Sequence, residues 1–106
     1  MAQFDVHRNT GINRDVIPFV VLVQSSIFDG YRRRVVIPLV RKSSIKKISN
    51  ARFNPVFKIA GIAVVLHPLE IASVPNDKLG AFVLSLAHEG SRISDALDEL
   101  LTRAWG

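Results

Sequence analysis

Apolar and polar residues alternate around Phe4 and Val6, so residues 3–8 predict a β-strand. Residues 9–15 carry Gly11 and two asparagines and predict a loop. Residues 17–24 are rich in β-branched side chains and predict a central strand. Asp29-Gly30 marks a turn, which leads through Arg32-Arg33-Arg34 into the apolar Val35-Val36-Ile37. Pro38 lacks a backbone donor, so regular pairing is expected to stop, bulge or reach an edge there. Residues 41–54 are polar and basic, with Ile45 and Ile48 three apart, and read as an irregular excursion or one helical turn. Two short apolar runs, 56–59 and 62–66, flank Ala60-Gly61 and predict a hairpin. Residues 70–74 predict one more short strand before Pro75, with Asn76 or Asp77 capping a turn. Residues 82–86 fit either a strand or a buried turn. Ile93, Ala96, Leu97, Leu100, Leu101 and Ala104 follow the three-four spacing of one helical face, with Ser91 as the expected N-cap. Short strands followed by one helix define an α+β domain spanning 1–106: a curled antiparallel sheet or partly open barrel with the C-terminal helix against it.

Composition supports that outline. The chain has 106 residues, 48% hydrophobic and 22% charged, which suits one small globular domain with a real core. A chain of this size buries a modest share of its surface, so dimerisation is a natural further source of stability. It contains no cysteine, which excludes disulfides and thiolate metal sites. The start, Met-Ala-Gln-Phe-Asp, is polar rather than signal-like, and the longest apolar runs are too short to span a bilayer. A soluble, cytoplasmic protein without a membrane partner is the expectation.

Charge changes the picture more. The net charge is +5, yet residues 1–53 hold ten Lys/Arg against three Asp/Glu, whereas 54–106 hold four against six. A basic surface of this kind attracts nucleic acid or an acidic protein, or is simply a solvated face. No nucleic-acid motif accompanies it.

Catalytic and metal-binding signatures are sparse. His7, His67 and His88 are dispersed and share no ligand spacing, and no phosphate-cradling loop, nucleophile elbow or zincin motif occurs. Ser25-Ser26 lacks a sequence-placed base. The expectation is a chain without catalytic residue, metal or cofactor. One enzymatic alternative stays open: RNA cleavage by an Arg or His with a carboxylate, drawn from Arg32, Arg33, Arg34, His7, His67 and Glu70. The remaining feature is Trp105, the only tryptophan, one residue from the end of the sequence given. It either leans on its own helix or serves as an exposed aromatic anchor for a partner.

Phe4-Asp5-Val6-His7-Arg8-Asn9, Val23-Gln24-Ser25 with Ile27-Phe28-Asp29, Arg34-Val35-Val36-Ile37-Pro38-Leu39, Asn54-Pro55-Val56-Phe57, Ala72-Ser73-Val74-Pro75 and the helix 93–101 occur in the order and spacing of the CcdB toxins. The chain resembles that family over nearly its whole length. The resemblance implies an SH3-like, barrel-type sheet and a homodimer with its C-terminal helices near the dimer axis. It also implies binding to the A subunit of DNA gyrase and trapping of the cleaved gyrase–DNA complex. A cognate CcdA-like antitoxin would wrap the toxin, and the pair would repress its own operon, so that DNA is met only through the antitoxin complex.

The family's gyrase-facing positions map onto Trp105, Gly106, Leu101, Ala104, Ile27 and Phe28. Ala104 stands where the best-known family toxin has an aromatic, and that toxin's terminal isoleucine is missing here. Aligned through Ile93, Ala96 and Leu97 instead, the tryptophan falls about one turn further on, roughly 5 Å. The antitoxin segment of this family is acidic, which assigns Arg32, Arg33, Arg34, Arg41 and Lys42 to its contact surface. Two alternatives accompany the gyrase reading: a family member that binds antitoxin with weak or absent gyrase poisoning, and a ribonuclease toxin, since ribonuclease toxins share the fold.

Overall fold

The structure, a computed structural model, describes residues 2–48 and 50–102. Strand β1 (Asp5–Arg8) pairs antiparallel with β2 (Phe19–Leu22), and β2 with the nine-residue β3 (Arg33–Arg41). The far side of β3 is shared between two partners. β5 (Ile62–Leu66) pairs with residues 39–41, and β6 (Ala72–Pro75) with residues 33–36. β4 (Val56–Ile59) lies on β5 at one margin, and β7 (Phe82–Ser85) lies on β1 at the other. The sheet runs β4-β5-β3-β2-β1-β7, with β6 beside the first half of β3. It curls into a half-barrel capped by α1 (Gly90–Leu101), the expected α+β fold. Among the described residues no helix is long and apolar enough to cross a membrane.

Strand alternation sends every second side chain inward. Val6, Phe19, Val21, Ile37, Leu39, Phe57, Ile59, Val64 and Leu66 meet Ile93 and Ala96 of α1 in one buried cluster. Each large apolar side chain removed from water contributes about 1.5–3 kcal/mol before chain entropy is counted. The neighbouring positions Leu22, Val36, Val40 and Val65 are buried too. Ile45 and Ile48 share a small cavity with Val65, which explains why the polar 42–54 excursion carries two isoleucines.

Pro38 departs from its expectation, since it sits inside β3 opposite Val20. Its carbonyl accepts from the His67 N–H at 3.1 Å, so its nitrogen also faces the side on which β6 has ended and β5 has just begun. There the chain leaves the sheet as the 3₁₀ turn 68–70, and the ladder asks for no donor. The hairpin β4–β5 is as expected: Ile59 faces Ile62, and Ala60 and Gly61 have φ of 51° and 80°. Two successive positive φ values match the twist of the flanking strands. The ambiguous stretch 82–86 is a strand, which places the chain's first and last strands side by side.

Helix α1 starts earlier than its sequence signal. The coil begins with a 3₁₀ turn at 87–89, where the Ser85 hydroxyl accepts from the Ala87 N–H at 3.1 Å, and continues directly into α1. Ser91 is therefore inside the helix rather than its cap. Arg92 fixes α1 on the sheet, with its guanidinium 4.4 Å from the Phe57 ring centroid and donating to the Val56 carbonyl at 2.7 Å.

Gly90 sets the approach of α1 to the chain start. A Cβ there would stand 2.5 Å from Cε2 of Phe4. Phe4 cannot easily retreat, because its N–H donates to Leu22 (2.7 Å) and its carbonyl accepts from Leu86 (2.8 Å), at a φ of 70°. Gly90→Ala gains about 1 kcal/mol of helix propensity but meets an overpacking cost of about 1–3 kcal/mol. The clash wins: we expect a melting temperature lower by roughly 5 °C in thermal circular dichroism. An unchanged or higher melting temperature would show that Phe4 is not held.

Candidate functional site

The sequence Ser25 to Arg34 builds one rigid projection. Residues 26–28 form a 3₁₀ turn capped by Ser25, whose hydroxyl accepts from the Ile27 N–H. Phe28 and Tyr31 follow on the outer side, with ring centroids 5.8 Å apart and planes at 66°. Arg34 holds the projection from beneath. It is only 4% exposed, and its guanidinium donates to the carbonyls of Tyr31 (2.6 Å), Asp29 (2.7 Å) and Arg33 (3.1 Å). No carboxylate lies within ion-pair distance of it among the described residues, and its Nε is buried without a partner. Arg34 is thus an internal clamp and not a surface cation.

Beside the projection, pairing of β3 with β6 creates a groove of about 380 Å³ lined by Arg32, Arg33, Pro75, Asn76 and Asp77. Register places Arg33 opposite Pro75, and the Asn76 N–H donates to the Arg32 carbonyl at 2.8 Å. Arg33 is oriented by Ser73, donating from Nε to the hydroxyl and from a terminal nitrogen to the carbonyl, both at 2.7 Å. A guanidinium has five donors, so three remain for a ligand. Arg32 is exposed and takes no part in the ion pairs among the described residues. Arg32, Arg33 and Asp77 thus line one cavity whose volume falls in the range of small-ligand sites. The surrounding chain is strongly biased: residues 30–69 contain nine Lys/Arg and no Asp/Glu.

The other sequence candidates lie elsewhere. His7 is buried in β1. Its Nδ1 is 3.0 Å from the Gly80 carbonyl, which can only accept, so Nδ1 carries the hydrogen and Nε2 is left buried without a partner. His67 lies beside the middle of β3, its N–H donating to the Pro38 carbonyl, and lines a separate cavity of about 110 Å³ with Lys47 and Asn54. From Pro38, beside His67, to Arg33 is five strand residues, about 17 Å. Glu70 lies in the exposed 68–70 turn beyond His67. The set His7, His67, Glu70 and Arg34 therefore does not converge with Arg32 and Arg33. Arg41 and Lys42 stand at the far end of β3, about 26 Å from Arg33, with Arg41 Nε donating to the Asp15 carbonyl at 2.6 Å. Ile27 and Phe28 are exposed on the projection, and Leu101 is 71% exposed at the end of α1. Ala104, Trp105 and Gly106 lie outside the described residues. Sequence gives Asp77 only a capping role and Tyr31 none; a tyrosine next to an arginine triplet is the signal that could have found it.

A family model described as CcdB protein matches residues 3–103. No curated protein matches the chain. Among solved structures the chain is similar to an endoribonuclease in complex with its cognate antitoxin from Mycobacterial species, at 12% identity and a TM-score of 0.72, over 95% of this chain and 94% of that one. This likeness is one of fold, and the protein on its other side is a catalytic toxin. It overturns the order drawn from sequence, in which a non-enzymatic poison bound to the gyrase A subunit came first and the ribonuclease last. The charged cavity that could serve such an activity lies where β3 pairs with β6, away from the end of α1.

Replacing Arg34 tests the clamp. Arg34→Met keeps the length of the side chain but removes the donors from three carbonyls, at roughly 1 kcal/mol each. We expect a loss of about 2–3 kcal/mol in urea unfolding, with faster amide exchange at residues 25–33. Unchanged stability and exchange would show that the projection holds itself.

Proposed function

The chain belongs to the CcdB protein family, and from that premise we propose that it is the toxin of a toxin–antitoxin pair, a cytoplasmic ribonuclease held in check by a cognate antitoxin. The observation that carries this reading is the groove at the β3–β6 junction, where Arg32, Arg33 and Asp77 surround one cavity. Its likeness in fold to an endoribonuclease bound to its antitoxin supports the same assignment.

The chemistry follows from the groups present. RNA carries its own nucleophile, the ribose 2′-hydroxyl, next to the phosphodiester. Asp77 takes the proton from that hydroxyl, and the 2′-oxygen forms a bond to phosphorus as the bond to the 5′-oxygen breaks. The departing 5′-oxygen is protonated from solvent, which leaves a 2′,3′-cyclic phosphate and a free 5′-hydroxyl. Negative charge grows on the non-bridging oxygens during attack. Arg33, already oriented by Ser73, and Arg32 face that charge with donors that need no rearrangement. An acidic antitoxin segment would meet the same guanidinium groups, so inhibition works by occupying the groove.

Cleavage of a labelled single-stranded RNA by purified protein tests the reading. Asp77→Asn is expected to slow it by about 10²-fold or more, and Arg32→Ala by about 10²-fold. A strand with a 2′-deoxy sugar at the cleaved position should survive intact. Wild-type rates in both variants, or cleavage of the deoxy strand, would sink the assignment.

A further inference from the structure

Phe28 and Tyr31 make no contribution to the core, yet they are held in place with unusual care. Phe28 is 45% and Tyr31 67% exposed, and Ile27 beside them is 78% exposed. An aromatic side chain left in water gives up much of the burial that usually fixes it. Here the backbone fixes it instead. The Tyr31 N–H donates to the Phe28 carbonyl at 3.0 Å, the Asp29 N–H to Ser26 at 3.1 Å, and Arg34 takes the Tyr31 and Asp29 carbonyls from below. Gln24 ties the base of the projection, accepting from the Val35 N–H at 2.8 Å. The rings meet edge to face, so their contact occupies one face of one ring and not both rings' faces as parallel stacking would. Tyr31 is the chain neighbour of Arg32, with Cα atoms ~3.8 Å apart, so this apolar surface adjoins the rim of the cationic groove.

Exposed aromatic rings beside oriented guanidinium groups are the combination that single-stranded RNA requires. Unpaired bases stack on ring faces while the backbone phosphates are held by arginine. A duplex cannot use such rings, because its bases are already stacked. We propose that Phe28 and Tyr31 form a stacking platform for unpaired bases flanking the phosphodiester held by Arg32 and Arg33, which makes this protein selective for single-stranded RNA. The assignment rests on the ribonuclease reading for its substrate class. The clamp by Arg34 explains its rigidity: a platform ordered before binding loses little conformational freedom when a base arrives.

The test is binding, kept separate from cleavage by a single-stranded RNA whose 2′-oxygens are all methylated and which therefore cannot be cut. Fluorescence anisotropy should give a Kd about tenfold weaker for Tyr31→Ala and for Phe28→Ala. Tyr31→Phe should bind like the wild type, since stacking needs the ring and not the hydroxyl. Tyr31→Leu keeps an apolar side chain without a π face and should bind as weakly as the alanine variant. An abasic strand of the same length should bind wild type and Tyr31→Ala equally. Equal affinity of wild type, Tyr31→Ala and Phe28→Ala for the base-bearing strand would overturn the platform, as would binding of a duplex as tight as that of the single strand. Base-dependent binding without cleavage of the unmodified strand would support the platform while removing the ribonuclease reading. Cleavage with ring-independent binding would do the reverse.

Discussion

A single buried guanidinium organises the functional half of this molecule. Arg34 points to the side of β3 opposite the main core, where its charge meets three carbonyls in place of a carboxylate. Removing an arginine from water is costly unless its donors are matched. The carbonyls that match them are those of a loop which would otherwise have little to hold it. Sheet and loop therefore depend on each other: β3 needs the loop to satisfy Arg34, and the loop needs Arg34 to fix its aromatic rings. The adjacent residues inherit that order, because Arg33 and Arg32 enter the groove from a backbone already fixed at both ends.

The switch of partners along β3 has a second consequence. β6 pairs with its first half and β5 with its second, so the chain must leave the sheet between them at 68–70. The departure brings Pro75, Asn76 and Asp77 back to the start of β3, opposite Arg32 and Arg33. Asp77 and the two arginines, more than forty residues apart in sequence, come to line one groove because β6 pairs with the start of β3. The same departure makes room for Pro38 within a strand that is paired on both sides.

The sequence exposed what local periodicity and turn chemistry encode. Ala60-Gly61 between two apolar runs locates the hairpin, and Ile93, Ala96 and Leu97 locate the inner face of the helix. Features that depend on distant partners were hidden. Ser91 resembles an N-cap until Ser85 is seen to start the coil two residues before the 3₁₀ turn begins, and Pro38 resembles a strand end until the gap between β5 and β6 is known. The arginine triplet looks like one basic patch, yet its third member is buried under the carbonyls of Asp29 and Tyr31, while Arg32 and Arg33, at the start of β3, stay exposed. Glu70 and Asp77 are equally polar in sequence, and only the return of the chain along β6 shows that Asp77, not Glu70, lines the groove with Arg32 and Arg33.

A half-barrel of this kind accommodates different activities because its core and its sites use different residues. Ile37 and Leu39 face the core, while Arg33 at the start of the same strand lines the groove, and none of the cluster buried beneath α1 lines that groove. Substitutions in the groove or on the projection can therefore change what is bound without disturbing the packing that defines the family. Kinship in fold sets where a site can form, at the strand ends and loops, but its chemistry has to be read from the side chains placed there. In this chain those side chains are cationic, aromatic and carboxylate. Under the ribonuclease reading proposed above, that combination would meet a polyanion with unpaired bases and a reactive hydroxyl.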